Sequence, residues 1–308
     1  MTSKDIPASI NIERTVYRAC NLCEAICGLE FKIQDSTIVS IRGDEADPFS
    51  RGHICPKAIA LKDIHEDPDR LRTPHVRQGE TWRDVTWDEA FDLVAVKLAG
   101  IIQSHGNNAV ALYAGNPNVH NFGHLLNLPH IAKLIGSRNI FSASSVDQMP
   151  QQLVSYWMFG HQFLIPIPDI DHTDYFLVIG ANPIASNGSM MTVPDVAKRL
   201  KAVQTRGGKV VVIDPRRTET AAVASQHHFI RPGSDAAFLA ALINTLREES
   251  LFRLPDADRL NGLDAALDAI KALSPERVAA FTGIDATAIR QIARDFAGAN
   301  SEIGRAHV

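Results

Sequence analysis

Four cysteines constrain this chain more than any other feature. Cys20, Cys23 and Cys27 fall within "CNLCEAIC", Cys55 follows in "GHICPKA", and no other cysteine occurs among the 308 residues. Three thiols so close in sequence share one loop, and one remote thiol can close a cage around whatever that loop holds. Three chemistries compete for such a set. Disulfides belong to oxidising compartments, and the N-terminal stretch "MTSKDIPASINIERT" is polar, with no apolar core and no Arg-Arg pair ahead of one. No export signal is read there, and a cytoplasmic location is expected. A zinc site of four cysteines usually takes two C-x2-C knuckles, and the second knuckle is missing here. A [4Fe–4S] cluster takes four thiolates. The pattern C-x2-C-x3-C-x27-C, with Pro56 directly after the last cysteine, has the three-plus-one form. The spacing favours the cluster over zinc, and places disulfides last.

Composition narrows the partners. With 45% hydrophobic and 21% charged residues the chain has the make-up of an ordinary globular protein. A net charge of −4 favours neither nucleic acid nor an anionic membrane surface. No apolar run approaches the ~20 residues of a membrane span.

Around the cysteines the pattern is β-like. Thr15–Ala19 reads as a strand, and "LEFKIQD" and "TIVSIRGD" alternate as a hairpin turning at Asp35-Ser36. A small β-rich domain over residues 12–70 is expected, with the cluster near its surface. Pro68 and Pro74 bracket a connector. Beyond it, Thr86 or Asp88 can cap a helix with Glu89 in its first turn and Gly106 at its end. Phe91, Val94, Leu98, Ile101 and Ile102 recur at helical spacing, which predicts one buried face. Strand-like and helix-like segments then alternate. Ala109–Gly115, "NIFSAS", Asp174–Pro183 and Lys209–Arg217 read as strands, and "HLLNLPHIAKLIG" and "VPDVAKRLKAVQTRGG" as helices. Further helices are expected at Asp235–Glu248, Leu263–Leu273, Pro275–Ala280 and Asp285–Ala299. This is βαβ alternation, so residues 71–300 are expected to form one or more α/β domains built on a doubly wound parallel sheet. His120 and His124 are four apart, a metal-ligand spacing on a helix, but no third ligand accompanies them. Residues 301–308 read as a tail; "IGRAHV" matches what a sequencing-library adaptor encodes, so Ile303–Val308 is expected to be non-native and the chain truncated.

Five motifs occur in order: the cysteine pattern, "RLRTPHVR.GE.WRDVTWDEAFD", "VIGANP", "VVVIDPRRTETA" and "IRPGSDAAFLAAL". From about Arg14 to Ala299 the chain resembles the molybdopterin oxidoreductase superfamily, the bis-(molybdopterin guanine dinucleotide) enzymes that include formate dehydrogenases, periplasmic-type nitrate reductases and dimethyl sulfoxide reductases. The resemblance implies that Cys20, Cys23, Cys27 and Cys55 hold one [4Fe–4S] cluster, and that Lys57 is a fixed cation between cluster and pterin that eases electron relay. A solvated surface lysine is the plain alternative.

Doubly wound sheets bind ligands at the carboxyl ends of their strands, and three loops stand there. In Gly180, Ala181, Asn182 and Pro183 the glycine admits a phosphate and Asn182 offers a donor and an acceptor. Asp214 suits a ribose diol or the amino edge of guanine, with Arg216 and Arg217 for phosphates. Gly233 and Ser234 feed a helix at Asp235, a base contact or merely an N-cap. Each is also an ordinary turn; their order matches the family's guanine-dinucleotide loops.

In the family the metal, molybdenum or tungsten, is held by two pterins, and a Cys, selenocysteine, Ser or Asp often completes the shell. Here the alignment puts Leu153 where a ligating Cys or selenocysteine often stands, and leucine cannot ligate. Asp147 or Ser145 from a shifted register remains, or the metal has no protein ligand. Two-electron redox chemistry on a small-molecule substrate is implied, with electrons passing through the cluster to a partner such as a quinone-linked subunit, a ferredoxin or an NAD-linked diaphorase. A non-redox hydratase on the same cofactor, an Fe–S electron-transfer or assembly subunit, and a zinc-stabilised binding module are the other readings. Family members are about twice this length or more, so the chain alone is expected to be inactive.

Overall fold

The computed structural model describes residues 13–23, 25–115, 118, 120–253 and 260–306. The polar stretch before residue 13, the expected domain start at residue 12 and the last two residues of the tail lie outside them. The chain divides into two compact units, residues 1–163 and 164–308.

In the first unit, β1 (Glu13–Ala19), β2 (Gly28–Gln34) and β3 (Thr37–Gly43) form an antiparallel meander. Asp35 and Ser36 both take positive φ, 47° and 72°. A two-residue hairpin loop with that backbone matches the twist of its flanking strands, so the turn falls where the sequence places it. Beyond β3 come α1 (Pro56–Ile59) and α2 (Leu61–Glu66). Pro56 occupies the first helical position and Cys55 the N-cap, where a missing N–H costs nothing. Leu29, Ile41 and Ala58 pack with Cys20, Ala25 and Cys27 into a small core between meander and helices.

A hairpin of β4 (His75–Gln78) and β5 (Thr81–Asp84) leads to α3 (Trp87–His105). Thr86 is its cap, its Oγ1 accepting from Glu89 N at 3.2 Å, and Gly106 ends it at φ +79°. The expected burial of its apolar face does not occur. Phe91 is 63% exposed, Val94 54% and Ile101 40%, and no described residue of α3 is buried. Helical periodicity shows which face a partner can cover; it does not supply the partner. Strand β6 (Leu112–Ala114), helix α4 (Phe122–Ile135), strand β7 (Ile140–Ser142) and helices α5 (Ser144–Asp147) and α6 (Met149–Phe159) complete the unit. β6 and β7 pair in parallel as a separate two-stranded sheet.

The second unit is a four-stranded parallel sheet of β8 (Tyr175–Ile179), β9 (Lys209–Ile213), β10 (Gln226–His228) and β11 (Glu302–Ala306), in the order β10-β9-β8-β11. The connections contain α7 (Pro183–Ser186), α8 (Val196–Thr205) and α9 (Glu219–Val223), then α10 (Asp235–Glu248), α11 (Leu263–Ile270), α12 (Pro275–Thr282) and α13 (Ala286–Gly298). β8 is buried along its whole length, and Val210–Ile213 of β9 likewise. Alternate residues serve opposite faces. Tyr175, Leu177, Ile179, Val211 and Ile213 pack against α10, α12 and α13. Phe176, Val178, Val210 and Val212 pack against α8. The strand order reverses between β8 and β11, which makes that the switch point of a doubly wound sheet. Residues 302–306, read from sequence as part of a tail, thus run along β8 as an edge strand. Backbone pairing needs no particular side chains, so a non-native sequence and a strand are compatible.

Candidate cofactor site

The three-cysteine loop leaves β1 and returns as β2, closed at its base by Cys20 N donating to Cys27 O at 2.8 Å. Cys20 and Cys27 are buried, 5% and 7% exposed, and Leu22, Cys23 and Ile54 pack against them. No disulfide joins the four thiols. Burial pushes the Cys27 thiol up to about 11, with Cys20, Cys23 and Cys55 adding to the rise. Burial also raises Cys20, where Cys23 and Cys55 push the same way and Lys57 opposes them. The remote cysteine therefore lies within electrostatic reach of the loop, and Lys57, exposed on α1, presents its charge to the same group. Among the described residues no three His, Cys, Asp or Glu side chains are gathered tightly enough for a single metal ion. One zinc draws its sulfurs to about 2.3 Å from a common centre, whereas a four-iron cube spreads four thiolates around a larger body. Cys20, Cys23 and Cys27 share an apolar cluster, Cys55 lies within electrostatic reach of it, and four soft thiol donors are the set such a cube takes.

The loop carries strain. Ile26, between Cys23 and Cys27, has φ +41° and is 45% exposed. That backbone region is unfavourable for a β-branched side chain and costs of order 1–3 kcal/mol. Replacing Ile26 by glycine is expected to raise the stability of the cluster-free chain by about 1 kcal/mol, less than the strain released because glycine also gains entropy when unfolded. Urea unfolding measures it; a lower midpoint would show that the side chain is worth more than the strain.

In the second unit all three expected loops leave the same edge of the parallel sheet, after β8, β9 and β10. Gly180 takes φ +60° and donates to Ile213 O at 2.9 Å, and Asp214 N donates to His228 O at 3.2 Å. Asp214 is buried, its Oδ1 accepting from Arg216 N at 2.8 Å. Arg216 and Arg217 are exposed, and Arg216 approaches Glu219 at 3.7 Å. Gly233 takes φ +80° with open space where a Cβ would stand. The cap of α10 is Ser234, buried and bonded to Arg231 O at 2.6 Å, so Asp235 is the first helical residue and not the N-cap.

Asn182 is differently occupied from what its donor and acceptor suggest. Nδ2 donates to Glu219 Oε2 at 2.6 Å, and Oδ1 accepts from Thr220 N at 3.2 Å and Thr220 Oγ1 at 2.8 Å. Its side chain latches the β8 loop to the start of α9. Glu219 and Thr220 are therefore parts of the loop system that reading strand ends alone overlooks. The available signal was Thr218, which caps α9 by accepting from Ala221 N and so marks the turn after Arg216 and Arg217 as a helix start.

Asp147 and Ser145 separate cleanly. A cavity of about 450 Å³ opens at the carboxyl ends of β6 and β7, lined among others by Gly115, Asn118, Ser142, Asp147 and Gln148. Asp147 is on its wall. Ser145 is not, and its hydroxyl turns to Ser142 O at 3.4 Å. Leu153 is 43% exposed on α6, also off the cavity. The helical pairing of His120 and His124 does not form: α4 starts at Phe122, capped by Asn121, so His120 precedes the helix. Both ring nitrogens of His120 are buried, and neither has a hydrogen-bond partner among the described residues.

A cysteine-bearing meander followed by a doubly wound sheet with glycine loops along one edge defines a class, Fe–S proteins with an α/β cofactor domain. Comparison narrows it. Residues 13–66 match the molybdopterin oxidoreductase Fe4S4 domain and residues 70–251 the molybdopterin oxidoreductase domain. The chain belongs to the molybdopterin oxidoreductase family. It is 28% identical to formate dehydrogenase H of Escherichia coli over 94% of this chain and 40% of that protein. It is 27% identical to the molybdopterin-containing subunit of a thiosulfate reductase of Salmonella typhimurium, over 94% of this chain and 37% of that one. Among solved structures, acetylene hydratase of Pelobacter acetylenicus superposes with a TM-score of 0.78 at 25% identity, over 95% of this chain and 40% of the hydratase. The chain thus spans about two fifths of the length of these relatives. The family's cofactors are a [4Fe–4S] cluster and molybdopterin with molybdenum or tungsten. No helix among the described residues is long and apolar enough to cross a membrane.

Proposed function

We propose that this chain supplies the cluster domain and much of one nucleotide-binding half of a bis-(molybdopterin guanine dinucleotide) oxidoreductase. The observation that carries the reading is the apolar cluster that holds Cys20, Cys23 and Cys27, with Cys55 and the exposed Lys57 within electrostatic reach of its thiols. When bound, the molybdenum or tungsten cofactor supplies two-electron chemistry on a small-molecule substrate. The four cysteines hold the cluster, and Lys57 keeps a positive charge beside it that favours an added electron. Gly180 and Gly233 let backbone approach phosphate, Arg216 and Arg217 neutralise it, and Asp214 and Asp235 offer carboxylates to ribose or guanine. Ala181, Pro183 and Ser234 shape those turns. Asp147, on the wall of the β6–β7 cavity, is the better candidate for a ligand to the metal than Ser145. Electrons leave to a partner protein, and the expected location is cytoplasmic.

The hydratase superposition favours a second reading, a non-redox hydration on the same cofactor; cycling of the metal between oxidation states during turnover separates the two. The first experiment is composition. Anaerobically purified protein is expected to contain about four irons with matching acid-labile sulfide and an EPR signal on reduction, and to show no dye-linked turnover by itself. About one zinc with no sulfide would sink the cluster reading, and turnover by the chain alone would sink the incomplete-site reading.

A further inference from the structure

The fourth cysteine lies far from the other three in sequence, and something must set its distance from them. The segment before it, Asp44–His53, folds back on the exit of the three-cysteine loop. Gly28, the residue after Cys27, donates its N–H to Ser50 Oγ at 3.0 Å. Ser50, fully buried, passes this on: its hydroxyl and its backbone N–H both donate to Asp47 Oδ2, each at 2.6 Å. Gly28 O in turn accepts from Asp44 N at 3.0 Å, and Asp44 O accepts from Gly52 N at 2.9 Å. The packing leaves no slack. A Cβ on Gly28 would stand 2.5 Å from Asp47 Cβ, and one on Gly43 1.9 Å from Gly52 O. Burial works to raise the Asp47 carboxyl, yet the hydrogen bonds from Ser50, Gly28 and Phe49 hold it below its ordinary value, so the knot favours the charged form.

We infer that Asp47 and Ser50 are positioning residues for the cluster: they tie the exit of the three-cysteine loop to the approach of Cys55 and fix the fourth thiolate at the separation a four-iron cube requires. Neither is placed among the cluster ligands; they act through Gly28 and the backbone from Arg51 to Cys55. The inference rests on the four cysteines being cluster ligands. Without the knot, the corner held by Cys55 is the first to open. Oxidation of a four-iron cluster by one electron with loss of Fe2+ leaves a three-iron cluster, the electron going to the added oxidant.

The test is Ser50→Ala, with Asp47→Asn as a second variant and Thr37→Ala, exposed on β3, as the control. Ferricyanide is added anaerobically, and the growth of the three-iron EPR signal is followed against total iron and sulfide. Ser50→Ala is expected to lose its fourth iron about tenfold faster than the unaltered chain, because it leaves the Gly28 N–H and one Asp47 bond unmade. Asp47→Asn, which keeps one acceptor, falls between. A mere loss of fold stability would release all four irons together; selective formation of three-iron cluster separates positioning from unfolding. Wild-type rates in both variants would overturn the inference. If the unaltered chain holds no four-iron cluster, the cysteine reading falls by itself, and the knot is then decided in the metal-free chain. There a short bis-maleimide should link Cys55 to the loop in the unaltered protein and in lower yield in Ser50→Ala; equal yields would overturn it.

Discussion

Cys27→Ser is expected to leave the purified chain without iron or acid-labile sulfide. Cys27 is buried, and its thiol feels Cys20, Cys23 and Cys55 together. A buried thiol with its pKa pushed to about 11 keeps its proton in the metal-free chain at neutral pH, so a metal–thiolate bond must displace it. Serine offers a hard oxygen donor of still weaker acidity at the same buried spot, and the apolar shell of Leu29, Ile41 and Ala58 gives a lone alkoxide nothing to pair with. Cys55→Ser should behave differently. Cys55 is half-buried at the N-cap of α1, and an intact three-cysteine loop can retain a three-iron cluster. Iron and sulfide per chain, read with EPR, separate the two: none for Cys27→Ser, and about three irons or fewer for Cys55→Ser. Four irons retained in Cys27→Ser would remove that residue from the ligand set.

What the sequence makes legible follows local rules. The Asp35-Ser36 turn, the Thr86 cap with Gly106 at the far end of α3, and α10 at Asp235–Glu248 all depend on nearest neighbours or on one helical turn, and each stands where the residues put it. The apolar runs Tyr175–Ile179 and Val210–Ile213 read as strands covered on both faces because no polar residue interrupts them, and both faces are covered. Long-range pairing was less legible. That Asn182 spends its amide on Glu219 and Thr220 depends on β8 and β9 being neighbours in register, with Ile179 opposite Ile213. The Gly28–Ser50–Asp47 knot spans more than twenty residues, and a Pro-x-Ser turn after an aspartate announces only its local half. The exposed apolar faces of α3 and α4, with Phe91 at 63%, Phe122 at 81% and Leu134 at 84%, show the opposite case. The pattern was real, but its cover is not among the described residues, and the chain spans about two fifths of the length of the relatives it matches.

The largest loss of stability is expected from Phe238→Ala. Phe238 is fully buried on α10, three residues beyond Asp235, within the core formed by Leu177, Val211, Ile213, Ile289 and Ile292. Its ring presses the first turn of α10 onto the sheet, and the first turn carries the Arg231–Asp235 loop. Removing a buried phenylalanine from such a core costs about 3–5 kcal/mol, transfer and cavity terms together. A domain has only about 5–15 kcal/mol in all, so the second unit should lose much of its stability and its urea midpoint should fall accordingly. Leu239, the next residue, is 37% exposed; Leu239→Ala should shift stability by only about 0.5 kcal/mol. The pair also tests the nucleotide loops. Guanine nucleotide retained by folded Phe238→Ala in low denaturant should fall relative to Leu239→Ala, because a first turn no longer pinned lets Gly233, Ser234 and Asp235 wander from the strand ends. Equal retention in the two variants would remove the Gly233–Asp235 loop from the proposed nucleotide site.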